Sequence, residues 1–288
     1  MMRFTIKMYF MILCTVWAES SYAMNTITVA LSQHTLDGGR DYYTELLKLS
    51  LEETIKTHGL YNLRFLNFPV ERQRLRKLLI SGEVDILWSS STPERERSLL
   101  PIYFDLNKGL TGYRVLMIRK SSLKSFTNLN TFSAFQELVA GSGVNWSTTK
   151  LLKSNNIQVV TGATHESLFK MLAKGRFDYV LRGIQEIHST NDLIEWFKLS
   201  QSLEVYDKLI IDSPTPFYFF LAPNNLALAE RIGVGLELLK TNGKFDKLFS
   251  SFESNKRALN LLNLSETRVI KLVTIEPRAE QIYQPISR

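Results

Sequence analysis

Apolar positions along this chain follow two rhythms that take turns. The β-branched run "NTITVAL" (Asn25 to Leu31) reads as a strand. In "RDYYTELLKLSLEETIKTHG", Tyr43, Leu46, Leu47, Leu49 and Leu51 fall largely on one side of a helix, and Gly59 closes it. "LRFLNF" is the next strand, ended by Pro69. In "ERQRLRKLLISG", Leu75, Leu78 and Leu79 interleave with Arg72, Arg74, Arg76 and Lys77 at helical spacing. That pattern predicts an amphipathic helix with a solvated basic face, stopped at Gly82. "VDILW" is a third strand. The β-α-β-α-β order predicts parallel strands joined by crossover helices.

A second αβ unit follows. "FSAFQELVAGSGVNW" predicts a helix and a short strand, and "STTKLLKSN" a helix with Ser147 or Thr148 as its cap. "IQVVTG" is a strand, "HESLFKMLAKG" a helix ended by Gly175, and "FDYVLRG" another strand. Two apolar strands far apart in sequence, "YRVLMIRK" (Tyr113 to Lys120) and "FYFFLAP" (Phe217 to Pro223), leave the first and second units. If both cross between units, the protein is α/β and two-lobed, with a discontinuous first lobe and a two-strand hinge. The expected division is 24–117 with 222–288 for lobe 1, and 118–221 for lobe 2. A helix, Gly243 and a second helix come next, and the tail from Asn255 is expected to pack back on the first lobe.

The first residues bear on compartment. Arg3 and Lys7 precede the apolar run "MYFMILCTVWA", and Ser21 and Ala23 place small residues where a signal peptidase reads. Residues 1–23 therefore read as a secretory signal peptide, and the expected location is periplasmic. The apolar run is shorter than the roughly 20 residues a bilayer-spanning helix needs. Cys14, the one cysteine, lies inside that run, so the remaining chain can form neither a disulfide nor a thiolate metal site. The net charge of +7 would suit nucleic acid, but export removes that partner, and the basic residues are interspersed rather than clustered.

The candidate chemistry lies in "DILWSSSTPERERS". Pro93 suits the first turn of a helix. Ser91 with Glu94 fits a capping box, and Thr92 fits the cap equally well. A helix thus starts directly after a strand, with free backbone N–H groups and a dipole that favours a negative guest. Arg95 adds a two-pronged donor for carboxylate or phosphate. Ser89, Ser90, Ser91, Thr92 and Arg95 together form an anion receptor at the carboxyl end of a sheet strand. The same residues also fit a plain cap and a surface ion pair. "NWSTT" offers a second helix start, with Thr148 or Thr149 donating; Trp146 either stacks on a ligand ring or joins the core, whereas Trp88 is assigned to the core. Arg182 either binds a second ligand anion or bridges the lobes on closure.

Four segments carry a family resemblance: "SGEVDILWSSSTPERERSLLPIYF", "KGRFDYVLRG", "NWSTTKLL" and "LAERIGVGLELLKTNGKFDKLF". In this order they resemble the type II periplasmic solute-binding proteins of ATP-binding-cassette amino acid importers. The resemblance implies the periplasmic-binding-protein type II fold, hinge closure over a small ligand, and a membrane permease or a sensor receptor as partner. It also implies a monomer without cofactor. One departure stands out. The second-lobe acid that holds a ligand ammonium in that family would fall at or beside Gly183, where no acid stands, and Arg182 is its neighbour.

Enzyme motifs are missing from the sequence. "VAGSGVN" lacks the Gly-x-Ser-x-Gly spacing of a hydrolase elbow. Gly141 and Gly143 are followed by Trp146 where a dinucleotide loop needs glycine. His34, His58, His165 and His188 share no metal-ligand spacing. The expectation is a binding protein without catalytic or metal residues, for an anionic or amino-acid-like ligand.

Overall fold

The computed structural model describes residues 25–30, 41–66, 70, 72–129, 131–144, 146–187, 201–263 and 268–274. The predicted signal peptide and the first loop at 31–40 lie outside the described residues. In chain order the elements are β1 (Asn25–Ala30), α1 (Tyr42–Glu53), α2 (Ile55–His58), β2 (Tyr61–Leu66), α3 (Arg72–Ser81), β3 (Leu87–Ser90), α4 (Pro93–Ser98), β4 (Leu100–Ile102) and β5 (Tyr113–Arg119). There follow α5 (Leu123–Thr127), α6 (Phe132–Gln136), β6 (Ala140–Gly143), α7 (Ser147–Ser154), β7 (Val159–Gly162), α8 (His165–Ala173) and β8 (Tyr179–Gly183). The rest are β9 (Leu203–Asp212), β10 (Phe217–Leu221), α9 (Leu226–Thr241), α10 (Lys244–Ser251), α11 (Glu253–Leu262) and β11 (Arg268–Lys271).

The strands fall into two groups. β1 and β2 pair in parallel, and an isolated parallel bridge from Val29 to Ile86 links them to the segment leading into β3. β3 and β4 flank β10 antiparallel. The second group is a six-stranded sheet in the order β11-β9-β5-β8-β6-β7. The strands of the first predicted βα rhythm are split between a two-stranded and a three-stranded sheet, those of the second share the six-stranded one, and the two-lobed α/β fold stands.

Local reasons for these elements are visible in the side chains. Asp41 caps α1 by accepting from Thr44 N–H at 2.8 Å. Leu46, Leu47 and Leu51 are fully buried from that helix. α9 packs across α1 at Gly235, where a Cβ would lie 2.0 Å from the carbonyl oxygen of Ser50. Only a glycine permits so close an approach.

The passage between the sheets differs from the expectation. β5 lies wholly in the six-stranded sheet, where it pairs with β8 and β9. β10 lies wholly in the three-stranded sheet of the first lobe, between β3 and β4. The chain crosses on the neighbouring residues instead, 103–112 and 213–216, and passes once more between α11 and β11. The first two crossings run side by side: Leu106 N–H donates to Phe217 O and Ser213 N–H to Gly112 O, each at 2.9 Å. Asp105 ties them together. Its carboxylate accepts from the N–H groups of Asn107 (3.1 Å), Gly109 (2.8 Å) and Phe217 (3.3 Å). β5 and β10 are each paired on both sides, which satisfies their backbone groups along their length, so each stays in one sheet and the irregular segments beside them make the crossing.

The tail divides between the lobes: as expected, Ala258 and Leu262 of α11 pack with Leu46 and Phe249 of the first lobe, but the strand after α11 does not. β11 adds an edge strand to the six-stranded sheet, parallel to β9. Arg268 fastens it by donating to Phe126 O (3.1 Å), the Tyr206 hydroxyl (2.8 Å) and Leu129 O. Asn155 completes a two-way amide pair with Val273, at 2.8 and 2.9 Å. β9 itself had no counterpart in the sequence reading. The core is continuous across the junction, since Val115, Ile184, Ile187 and Ile210 join the cluster that holds Leu46, Phe104 and Phe219.

Candidate functional site

In the first lobe, the carboxyl end of β3 carries the three serines. Ser89 and Ser90 pair with Tyr218 and Phe217 across the sheet. Their hydroxyls are half-buried and make no hydrogen bond among the described residues. Thr92 is the cap of α4, accepting from Arg95 N–H at 3.1 Å, with Pro93 at the first helical position. Ser91 is buried, and its hydroxyl donates to the Glu96 carboxylate, whose other oxygen accepts from the Tyr103 hydroxyl at 3.1 Å. Ser91 thus belongs to the internal framework of the loop. The Arg95 guanidinium is half-buried. It donates to the Ser90 carbonyl and lies 5.8 Å from the centre of the Phe220 ring.

An aromatic wall stands beside this strand end. Tyr43 stacks on Phe217 at 5.0 Å and on Trp88 at 5.7 Å, and Trp88 meets Phe219 edge-on at 6.2 Å. The side-chain amide of Asn107 holds the Tyr43 hydroxyl, which ties the wall to the first crossing segment. Burial pushes the Tyr43 phenol well above its ordinary range. Trp88 packs against the core as expected, but its plane continues to Tyr43, which periodicity alone had assigned to a helix face.

In the second lobe, β6 and β8 end side by side and α7 begins beyond β6. Trp146 precedes the helix, and its ring covers Gly143, where a Cβ would sit 2.4 Å from ring atoms. His165 lies 4.7 Å from that ring. Thr149 is buried, donating to Gly143 O at 2.6 Å with Ser142 Oγ at 2.8 Å. It therefore braces the strand–helix turn from inside. Thr148 is half-buried and makes no hydrogen bond among the described residues.

Arg182 differs most from the expected placement. Its side chain is 7% exposed and lies against the Trp146 ring, with Cζ 5.6 Å from the ring centre. It reaches Glu186 Oε2 at 3.4 Å. The same oxygen accepts from Gly183 N–H at 3.2 Å. Glu186 was missed by the sequence reading. It stands three residues past a glycine, a spacing that no motif marks. Arg114, also missed, is buried beside them and donates to Thr111 O at 2.7 Å. Burial, foremost, and the nearby Arg182 charge lower its pKa, against the opposing pull of Glu186.

The two helix starts come together in space. Lys150 Nζ of α7 lies 3.8 Å from Glu94 Oε2 of α4, while Arg76 Nη1 holds the other oxygen at 2.8 Å. These contacts, Arg76 first, lower the Glu94 pKa. The carboxyl ends of β3 and β6 thus open toward one another. A cavity of about 240 Å³, lined by Leu79, Gly82, Val84, Asp85, Ala222, Asn224 and Asn225, lies at the opposite end of β3 from this site. Among the described residues no cluster of three or more His, Cys, Asp and Glu side chains is placed to hold a metal. No described helix is long and apolar enough to cross a membrane.

No family model matches the chain, and no curated protein does. Solved structures match nearly all of its described length. A probable amino-acid ABC transporter extracellular-binding protein of Bacillus subtilis is similar over 81% of this chain and 100% of its own, at 17% identity and a TM-score of 0.57. This chain has the fold of the two-lobed periplasmic binding proteins. A histidine kinase sensor domain with similarity to periplasmic binding proteins shares that binding-protein fold, over 80% of this chain and 96% of its own, at 14% identity and a TM-score of 0.54. So does an ancestral amino acid-binding protein described as a precursor of cyclohexadienyl dehydratase, over 79% of this chain and 95% of its own, at 16% identity and a TM-score of 0.52.

Proposed function

We propose that this chain is a periplasmic solute-binding protein that closes its two lobes over a small amino-acid-like or anionic ligand and presents it to a membrane permease. The observation that carries this reading is the approach of Lys150 to Glu94, which sets the two helix starts face to face across the groove. Arg95, the hydroxyls of Ser89 and Ser90, and the backbone N–H groups opening α7 supply donors for an anionic group. The Tyr43–Trp88–Phe217 wall supplies an apolar face for the rest of the ligand. Trp146 and Thr148 border the groove from the second lobe.

Closure follows from how the crossings are built. Rotating one lobe against the other calls for dihedral changes in 103–112, in 213–216 and in the chain between α11 and β11, and no sheet need be disrupted. Ligand that touches both lobes favours the closed form by its differential affinity for it. A site that closes also excludes water and strengthens the Arg95 contact. The protein is taken to act as a monomer and without cofactor, and a permease or a sensor is taken to read the closed shape. The sensor reading gains from the kinase sensor domain that shares the fold.

Thermal denaturation against a panel of amino acids, organic acids and small phosphates tests the proposal. A true ligand raises the melting temperature, by about 2.7 kcal/mol of stabilisation at a hundredfold excess over Kd. Arg95→Ala abolishes that gain. Small-angle scattering of the same sample shows a smaller radius with ligand. Incubation of the hit followed by NMR reports whether it is returned unchanged, as a binding protein requires. If no compound shifts the protein, or if the hit is converted, the reading is wrong.

A further inference from the structure

We propose that Glu96 is the positioning residue through which the loop at the end of β3 acts on the crossing segments 103–112 and 213–216. The proposal rests on the binding-protein reading above, and it names the contact by which an occupied loop turns the lobes.

The contacts that carry it meet at one carboxylate. The Ser91 hydroxyl donates to Glu96 Oε1, and the Tyr103 hydroxyl donates to Glu96 Oε2 at 3.1 Å. Ser91 lies in the loop that carries Ser89, Ser90 and Arg95, and Tyr103 opens the first crossing. The Ser91 N–H donates to Pro216 O of the second crossing at 2.8 Å. A side chain thus joins the loop to one crossing, and a backbone bond joins the same loop to the other. Asp105, also in the first crossing, accepts from Phe217 N–H, so the two crossings are tied to each other as well.

Arg95 and Glu96 are neighbours on α4, a helix of only 6 residues. An anion that draws the Arg95 guanidinium toward itself turns this short helix and carries Glu96 with it. The two ends of the Glu96 contact differ in burial. Ser91 is 3% exposed, so water cannot replace Glu96 as its acceptor and this bond is costly to break. Tyr103 is 46% exposed, so water replaces Glu96 there at small cost. α4 and the Ser91 loop therefore move as one body, while the link to the crossing can be made and broken. The Tyr103 ring meets Tyr218 edge-on at 5.6 Å between centres, a contact that does not depend on its hydroxyl.

Amide hydrogen exchange on the full chain tests the proposal, first without ligand. The reporters are the N–H groups of Asn107 and Gly109, both held by Asp105. Ser91→Ala removes the hydroxyl and keeps the backbone bond to Pro216. It should quicken exchange at both reporters about tenfold, the size of one hydrogen bond to a charged group. Tyr103→Phe should do the same, and the double variant should be no faster than either single one, as two ends of one contact require. Should buried Ser91→Ala fail to fold, Glu96→Ala takes its place as the loop-side variant. Reporters that stay at wild-type rates, or effects that add, overturn the role of Glu96 and leave the binding-protein reading standing. The second arm uses whichever compound of the thermal panel gives the largest shift. That compound should slow the reporters in wild type. In Tyr103→Phe it should still slow the Ser91 N–H but no longer the reporters; equal slowing of the reporters in both proteins refutes the coupling. If no compound of the panel shifts wild type, the binding-protein reading falls and this proposal falls with it.

Discussion

The Lys150 ammonium stands 3.8 Å from the Glu94 carboxylate, although α7 and α4 belong to different sheets. Side-chain exposures of 71% and 59% make this a solvent-screened contact, so it biases the lobes rather than locking them. Lys150→Glu turns the attraction into repulsion and favours the open form. Scattering should show a larger radius of gyration for the unliganded variant than for unliganded wild type. The difference shrinks at about 1 M salt, where the Debye length is near 3 Å. Equal radii at low salt would remove any role for the pair in closure.

Asp105 fastens the two crossing segments, and its removal leaves three backbone N–H groups without their acceptor. Asp105→Ala is expected to cost about 1–3 kcal/mol in urea unfolding. A pH signature accompanies it. Burial, the largest influence, raises the Asp105 pKa above 3.8, and the three N–H donors only partly offset this. The folded state then holds the proton to higher pH than the unfolded state does. The stability this group contributes is fully present below pH 3.8 and falls as pH rises through the raised value. The gap between wild type and Asp105→Ala therefore narrows on going from strongly acidic to neutral pH. A gap that is constant with pH contradicts the placement of this carboxylate.

Gly143 and Trp146 form a lock of a different kind. A Cβ at 143 would lie 2.4 Å from the indole. Gly143→Ala should displace Trp146, lose about 1–3 kcal/mol of stability through overpacking, and weaken ligand binding at the same time. Trp146 fluorescence is the direct monitor. If the emission maximum and the affinity both stay at wild-type values, the ring is not seated as described.

The tail strand offers an independent check far from the groove. Arg268→Ala leaves Phe126 O, Leu129 O and the Tyr206 hydroxyl without this donor. β11 should then fray from β9. Hydrogen exchange is expected to quicken at the β9 amides that face β11, while those of β6 and β7 keep their protection. Ligand affinity should change less than twofold (on the order of 0.4 kcal/mol or less, since the sites are distant).

Much of the architecture was legible because burial writes a period into the chain. The β-branched run "NTITVA" and the aromatic run "FYFFL" became β1 and β10, and "LALAERIGVGLELLKT" became α9. Helix punctuation was equally readable. Thr92 caps α4 and Gly59, with φ 78°, follows α2, each through an interaction within a few residues. The route between lobes was not legible, because β5 and β10 look alike whether they cross or stay. β9, "LEVYDKLIID", mixes charge with apolar residues and lacks a clean alternation, so nothing local marked it as a strand.

The sequence by itself determined the two βα units, the helix start at Thr92 and the residue types available for binding, since these depend on neighbours within one or two turns; for α7 it offered Ser147 or Thr148 as the cap, whereas Trp146 holds that position and Ser147 is already helical. Tertiary structure alone decided which charges face outward. Arg182 and Glu186 are four residues apart and opposite in sign, and the chain order ranks neither as the exposed one. That choice was made by Trp146, which covers the arginine from 36 positions upstream, and by the empty side of Gly183, which receives the glutamate. Desolvation depends on every atom that packs around a group, and those atoms come from β5, β6, β8 and α7 together.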